Sequence, residues 1–246
     1  MDFLIVFVIG LLASTFGSVL SGGVSLISLA LLSFYGFPAL TALGIFRVGT
    51  FGFQIGGLYS YSKAKKIVWK HILPFVLIGV PSAYVGAQIV LSVPEDFLEK
   101  IIGWVLILFI PIAMFKPSLG TVSTQVSKAR EKMGYVVYAL TSIWGTSFVV
   151  GAGIMQAFTQ AYFFGMTILE VKGTTKIPSL IKAIMTISVF AYAGVVEWLI
   201  GFVFMGGMFI GSIVGAHVAL KIGDIYLRNI LLITVGVLSL KLILGY

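Results

Sequence analysis

The residues best placed to do chemistry are two cations inside apolar stretches. They are Arg47, in T-A-L-G-I-F-R-V-G-T, and Lys176, in V-K-G-T-T-K-I-P-S, 129 positions apart. A helix beginning at Pro38, a residue favoured in the first helical turn, carries Arg47 ~13 Å along its axis, near the middle of a hydrocarbon layer ~30 Å thick. Placing a cation there costs at least ~2.5 kcal/mol, so each needs a counter-charge. The carboxylates do not supply it. Asp2, Glu95, Asp96, Glu99, Glu131, Glu197 and Asp224 read as loop or segment-end residues. Glu170, the one that remains, precedes Lys172 by two positions and Lys176 by six, spacings that pair no side chains on one helix face. A small anion from solution is the better counter-ion.

Neutral donors and bare backbone surround the two cations. Ser21, Ser25, Thr50, Gln156, Thr174, Thr175 and Ser179 carry hydroxyl or amide groups. Gly22, Gly23, Gly151 and Gly153 stand where a helix interrupted at depth would restart, offering a ligand free N–H groups and the positive end of a dipole. Plainer roles compete with these. Glycine in membrane helices more often serves close packing, which is the reading for Gly86 and Gly215, and Arg47 and Lys176 could pair with helix carbonyl ends. Lys172 reads as nearer the interface, and Lys182 as snorkelling toward the far side. His217 and Glu170 are the candidates for proton coupling, a packed, hydrogen-bonded histidine being the plainer reading of His217.

Other chemistry finds no residues. The chain has no cysteine, which removes disulfides, thiolate nucleophiles and Cys-ligated metals. It shows no metal-spaced histidine set, no deep carboxylate pair and no serine or lysine with an evident base, so neither enzyme activity nor a metal or cofactor is expected. The net charge of +8 collects in short loops rather than on a nucleic-acid surface. The partners expected are a small anion and the lipid bilayer, with a homo-oligomer left open.

The elements that must position these residues follow from composition. With 59% hydrophobic and 10% charged residues and a mean hydropathy of +1.13, the chain cannot cover a core of this size with polar surface. An all-α polytopic membrane protein is expected. Eight apolar segments are read at residues 3–34, 38–61, 71–93, 97–115, 133–165, 167–193, 198–220 and 225–245. The polar run 116–132 divides them into a first repeat, 1–115, and a second, 133–246. An offset of 129 brings Gly22 onto Gly151, Gly36 onto Gly165, Gly44 onto Gly173, Trp69 onto Trp198, and Val85-Gly86-Ala87 onto Val214-Gly215-Ala216.

Loop charge orients the copies. Lys63, Lys65, Lys66 and Lys70 make loop 62–70 basic, and the linker 116–132 is basic too, so both are expected in the cytoplasm of a multi-pass cell-membrane protein. In the second copy the pattern inverts, with Glu197 the only charge in 194–197 and Lys221 and Arg228 in the next loop. Inversion requires an odd number of spans per copy. The first segment of each, ~48 Å if helical, is too long for one straight span, and two pieces broken at the glycines are each too short. Each repeat is therefore expected to hold one broken re-entrant helical hairpin and three transmembrane helices, giving inverted repeats. Eight plain spans that obey the charge rule poorly remain the competing topology.

The same motifs resemble the sulfite exporter TauE/SafE family of toluene sulfonate uptake permeases. The likeness spans the chain and rests on V-G-A-G-I at 150–154, K-G-T-T at 172–175, S-G-G-V at 21–24 and A-L-G-I-F-R at 42–47. The chain departs from that pattern in having Ile-Phe where Thr-Ser would follow Gly44, and in lacking a proline after each glycine turn. The resemblance implies movement of small sulfur-containing or organic anions such as sulfite, sulfoacetate or other organosulfonates. The expectation is thus a secondary transporter, an exporter, working by alternating access around a cationic midplane site. An anion channel with the same cationic pore is the alternative from another class, and a membrane scaffold for a partner enzyme a weaker third.

Overall fold

The computed structural model describes residues 2–20, 23–92, 120–148 and 152–243, and the regular structure among them is entirely helical. In chain order the α-helices are α1 (Phe3–Val19), α2 (Gly23–Phe34), α3 (Ala39–Lys63), α4 (Ile72–Ser92, entered through a 3-10 turn at Trp69–His71), α5 (Lys128–Ser147), α6 (Ala152–Phe164), α7 (Ile168–Thr174), α8 (Lys176–Tyr192) and α9 (Trp198–Ile243, interrupted by the left-handed Gly223). The segment expected at 97–115 lies outside the described residues.

The long first segment does break. Asp2 caps α1 by accepting the Leu4 N–H at 3.0 Å, and α1 ends at Leu20, whose backbone is extended, before α2 begins at Gly23. The Asp2 N–H donates to the Tyr35 hydroxyl at 3.1 Å, which joins the start of α1 to the end of α2. The two helices are therefore an antiparallel hairpin. α5 and α6 form a second one. Ser127 caps α5, Phe148 ends it, and the Thr124 N–H donates to the Gly165 carbonyl at 2.8 Å beyond the far end of α6. The Arg130 guanidinium adds a bond to the Tyr162 carbonyl and stacks on its ring, 4.0 Å from the centroid.

The offset of 129 reappears in the backbone. α3 runs from 39 to 63, and α7 with α8 runs from 168 to 192, shifted by that number at both ends. Gly36 and Gly165 both take positive φ, 105° and 68°, just before these helices, and Lys65 and Gly194 do so, at 54° and 72°, just after them. Pro38 stands at the N-cap of α3, as its restricted geometry favours. Between α7 and α8 the chain has a joint at Thr175, because Pro178 has no N–H to bond to the Thr174 carbonyl and its ring crowds that oxygen.

Packing exchanges partners across the molecule. α1 and α3 lie on α9, while α5 and α8 lie on α4, and α3 meets α8 directly. Small residues let the backbones touch. A Cβ on Gly86 would stand 2.6 Å from the Ile143 carbonyl oxygen, and one on Gly215 would overlap that of Thr15, so both glycines serve close approach. The Ser14 hydroxyl donates to the Met208 carbonyl and that of Ser212 to the Phe53 carbonyl, both at 2.7 Å. Outward-facing positions are apolar instead. Leu4, Val8, Leu12 and Phe16 form one exposed stripe on α1 while Ala13, Ser14 and Gly17 are buried, the reverse of a water-soluble helix.

Among the described residues, two helical stretches, Trp69–Ser92 and Trp198–Ile230, are long and apolar enough to cross a bilayer, against the eight apolar segments read from the sequence. α1 and α2 are each too short, and α3 and α8 carry inward-facing polar residues that lower their hydropathy.

The loops sort to two ends. Lys70 pairs with Glu131 at 2.9 Å, the Val68 N–H bonds to the Thr174 hydroxyl at 2.9 Å, and the Leu169 N–H bonds to Asp224 at 2.7 Å. Loop 62–70, the end of the 116–132 linker and the turn around Asp224 thus share one end of the bundle. Val195 packs against Gly44, near the opposite end of α3.

Candidate functional site

A cavity of about 220 Å³ lies where the two hairpin turns meet α3, α7 and α8. The first hairpin contributes Gly17, Ser18, Val24 and Ser25, and the second Thr146, Ala152, Gly153 and Gln156. α3 turns Arg47, Thr50 and Gln54 into it at three- and four-residue spacing. α7 and α8 continue one polar stripe through Lys172, Thr175, Ser179, Lys182 and Thr186, with Lys176 beside it. Four cations therefore face one cavity, and none of its lining residues is acidic.

Each cation is held differently. Arg47 is 8% exposed; one Nη donates to the Thr146 carbonyl at the end of α5, its guanidinium lies 5.5 Å from the Phe190 ring centroid, and its Nε has no hydrogen-bond partner. Lys172 donates to the Ser18 carbonyl, at the end of α1, at 2.7 Å. Each hairpin thus has a cation on a carbonyl at the end of its first helix, where positive charge is favoured. Lys176, 5% exposed, sets its ammonium 3.6 Å over the Phe53 ring. Lys182, 8% exposed, lies 5.6 Å from the Tyr138 ring centroid and packs its stem against Gly79.

Of the residues singled out in the sequence, Arg47, Thr50, Gly153, Gln156, Thr175 and Lys176 come together here, as do Ser25 and Ser179. The hydroxyl protons of Thr50 and Thr175 are spent on carbonyls of their own helices, at 2.7 and 2.8 Å. Ser21, Gly22 and Gly151 lie outside the described residues. Gly23 opens α2 but faces Leu20, and Thr174 is buried with its hydroxyl on the Val68 N–H, so neither lines the cavity.

The coupling candidates stand elsewhere. Glu170 closes a capping box with Thr167, accepting its N–H at 2.8 Å. His217 sits on the outer face of α9, which lends no residue to the cavity, so it is exposed rather than packed.

Sequence reasoning placed Lys172 at the interface and Lys182 on a far face, and it overlooked Ser18 and Gln54. The signal that finds the two lysines is the stripe itself: 172, 175, 179, 182 and 186 advance by three or four residues, the spacing of a single helix face.

An apolar-skinned helical bundle around a cation-lined cavity is the build of a membrane transport protein. The chain belongs to the sulfite exporter TauE/SafE family, whose model matches residues 6–242. Among curated proteins it is similar to a probable membrane transporter protein, ORF9, of Sinorhizobium sp, with 26% identity over 96% of this chain and 90% of that protein. It is also similar to a probable membrane transporter protein of Haemophilus influenzae, with 21% identity over 97% of this chain and 93% of the relative. The probable membrane transporter protein YfcA of Escherichia coli K12 matches with 22% identity over 97% and 88%. No solved structure matches the chain. The protein is thus a membrane transporter of this family, located in a membrane.

Proposed function

We propose that the protein is a secondary transporter that exports small sulfur-containing or organic anions, of which sulfite, sulfoacetate and other organosulfonates are the first candidates. The observation that carries this reading is the cavity: Arg47, Lys172, Lys176 and Lys182 converge on about 220 Å³ with no acidic residue among its lining. Four desolvated cations without a carboxylate are stable only with anionic company, and the proposed substrate is that company. Ser18, Ser25, Gln156 and Ser179 add neutral polar atoms around it.

In this reading residues 1–115 and 133–246 are inverted repeats joined by the linker 116–132. Each hairpin re-enters the cell membrane without crossing it, and alternating access rocks one repeat against the other. Supporting it, loop 194–197 and the turn at Asp224 occupy opposite ends of the bundle, the latter together with loop 62–70. Eight plain spans would put 194–197 beside loop 62–70 instead. The basic end is assigned to the cytoplasm.

A thermal-shift screen of the purified protein against sulfite, sulfoacetate, sulfate and carboxylates tests the site, repeated with Arg47→Ala and Lys176→Ala. Stabilisation of the wild type that both variants lose is the expected result, and equal stabilisation of all three sinks the reading. Saturable counterflow in proteoliposomes is expected of a transporter, whereas large currents that never saturate would make the protein an anion channel.

A further inference from the structure

A second hollow, unconnected with the transport cavity, lies on the outer surface of the bundle between the last turn of α3 and α9. Its rim carries Lys63, whose ammonium bonds to the Tyr59 hydroxyl and lies 4.2 Å from that ring's centroid. Its floor is an apolar strip of Ile213, Val214 and Val218, the last two 47% and 39% exposed, with the imidazole of His217 set among them. No acidic residue lines it. Lys63 closes α3 at the end of the bundle that also carries Lys65, Lys66 and Lys70, whereas the apolar strip runs back along α9 toward the middle.

Lys63 and His217 stand at one level of this hollow, and toward the middle of the bundle it continues over Val214 and Ile213. Polar groups near the end and an aliphatic wall toward the middle match the head region and acyl chain of a bilayer leaflet. A histidine on an otherwise apolar, lipid-facing helix surface needs a polar partner, and an ester carbonyl or phosphate oxygen is the one available at that depth.

The offset of 129 supplies an internal comparison. The aliphatic wall recurs, with Val85 for Val214 and Ile89 for Val218, but the head chemistry does not: Tyr192 stands for Lys63, Ser188 for Tyr59 and Gln88 for His217. Of the two corresponding positions, the one near the basic loops carries the groups that suit an anion.

We propose that this groove is a binding site for an anionic phospholipid of the leaflet that faces loop 62–70. Lys63 holds the phosphate, His217 hydrogen-bonds the glycerol ester region, and an acyl chain lies along Val214 and Ile213. Tyr59 orients the ammonium through its ring and hydroxyl.

Native mass spectrometry of the detergent-purified protein with added phosphatidylglycerol or phosphatidylcholine tests this. The wild type is expected to retain phosphatidylglycerol in preference. Lys63→Gln should lower that retention about fivefold, the worth of one basic side chain at an anionic surface, and Lys63→Arg should restore most of it. His217→Leu should lower it as well, while Tyr192→Gln, at the position 129 residues after Lys63, leaves it unchanged. Melting in neutral detergent shows whether each variant is folded. The proposal is overturned if the preference survives Lys63→Gln combined with His217→Leu. It is equally overturned if a lipid-free dimer dissociates on those substitutions, which would assign the groove to a second copy of the chain.

Discussion

Lys176 holds its ammonium 3.6 Å above the ring of Phe53, and Phe53 occupies the position that Lys182 holds 129 residues later. α3 thus supplies the aromatic face that steadies a cation of α8. A desolvated cation over a ring is worth about 2 kcal/mol. Phe53→Leu is expected to lower the stability of the unliganded protein by about that amount, and Phe53→Tyr to retain it, as read by denaturation in detergent.

Gly57 leaves room for the same lysine. A Cβ there would overlap the Lys176 Cε and stand 2.7 Å from its Nζ. Since the lysine tip can move, Gly57→Ala should fold with near-normal melting yet displace the ammonium. The expected readout is an anion affinity about tenfold weaker, or about 1.4 kcal/mol, in a ligand-dependent thermal shift.

The chain lacks cysteine, so single introduced thiols report topology cleanly. Lys65→Cys and Lys221→Cys are expected to react with an impermeant maleimide from the same face of the membrane, and Glu197→Cys from the other. Labelling of Glu197→Cys and Lys65→Cys from one face would restore the model of eight plain spans.

Glu170→Ala separates capping from coupling. Removing the carboxylate that accepts the Thr167 N–H should cost about 1 kcal/mol of stability. The pH profile of transport should not move. A shifted profile at unchanged affinity would return Glu170 to the coupling pathway.

What was legible in the sequence followed from local cost. Arg47 and Lys176 announce themselves because charge in an apolar segment is expensive, and the break near Gly23 because a helix of that length has nowhere to go. Lys182 shows only as a member of the 172–186 stripe, and which way that stripe faces is set by α3 and α4 packing against α8. Thr174 and His217 misled for the same reason in reverse: their types fit a site, but tertiary packing turns one toward Val68 and the other outward. The carbonyl partners of Arg47 and Lys172 were illegible at the level of side-chain types, since backbone oxygens carry no letter.

The bond from Ser14 to the Met208 carbonyl spans 194 residues. At a synthesis rate of about 5–20 residues per second, the first hairpin leaves the ribosome roughly 10–40 s before the helix it packs against exists. During that interval the Ser14 hydroxyl and the close-packing face at Gly10 lack the α9 carbonyls they meet in the finished fold. The newborn N-terminal half must therefore be sheltered, by the insertion machinery or by lipid, until the C-terminal half arrives.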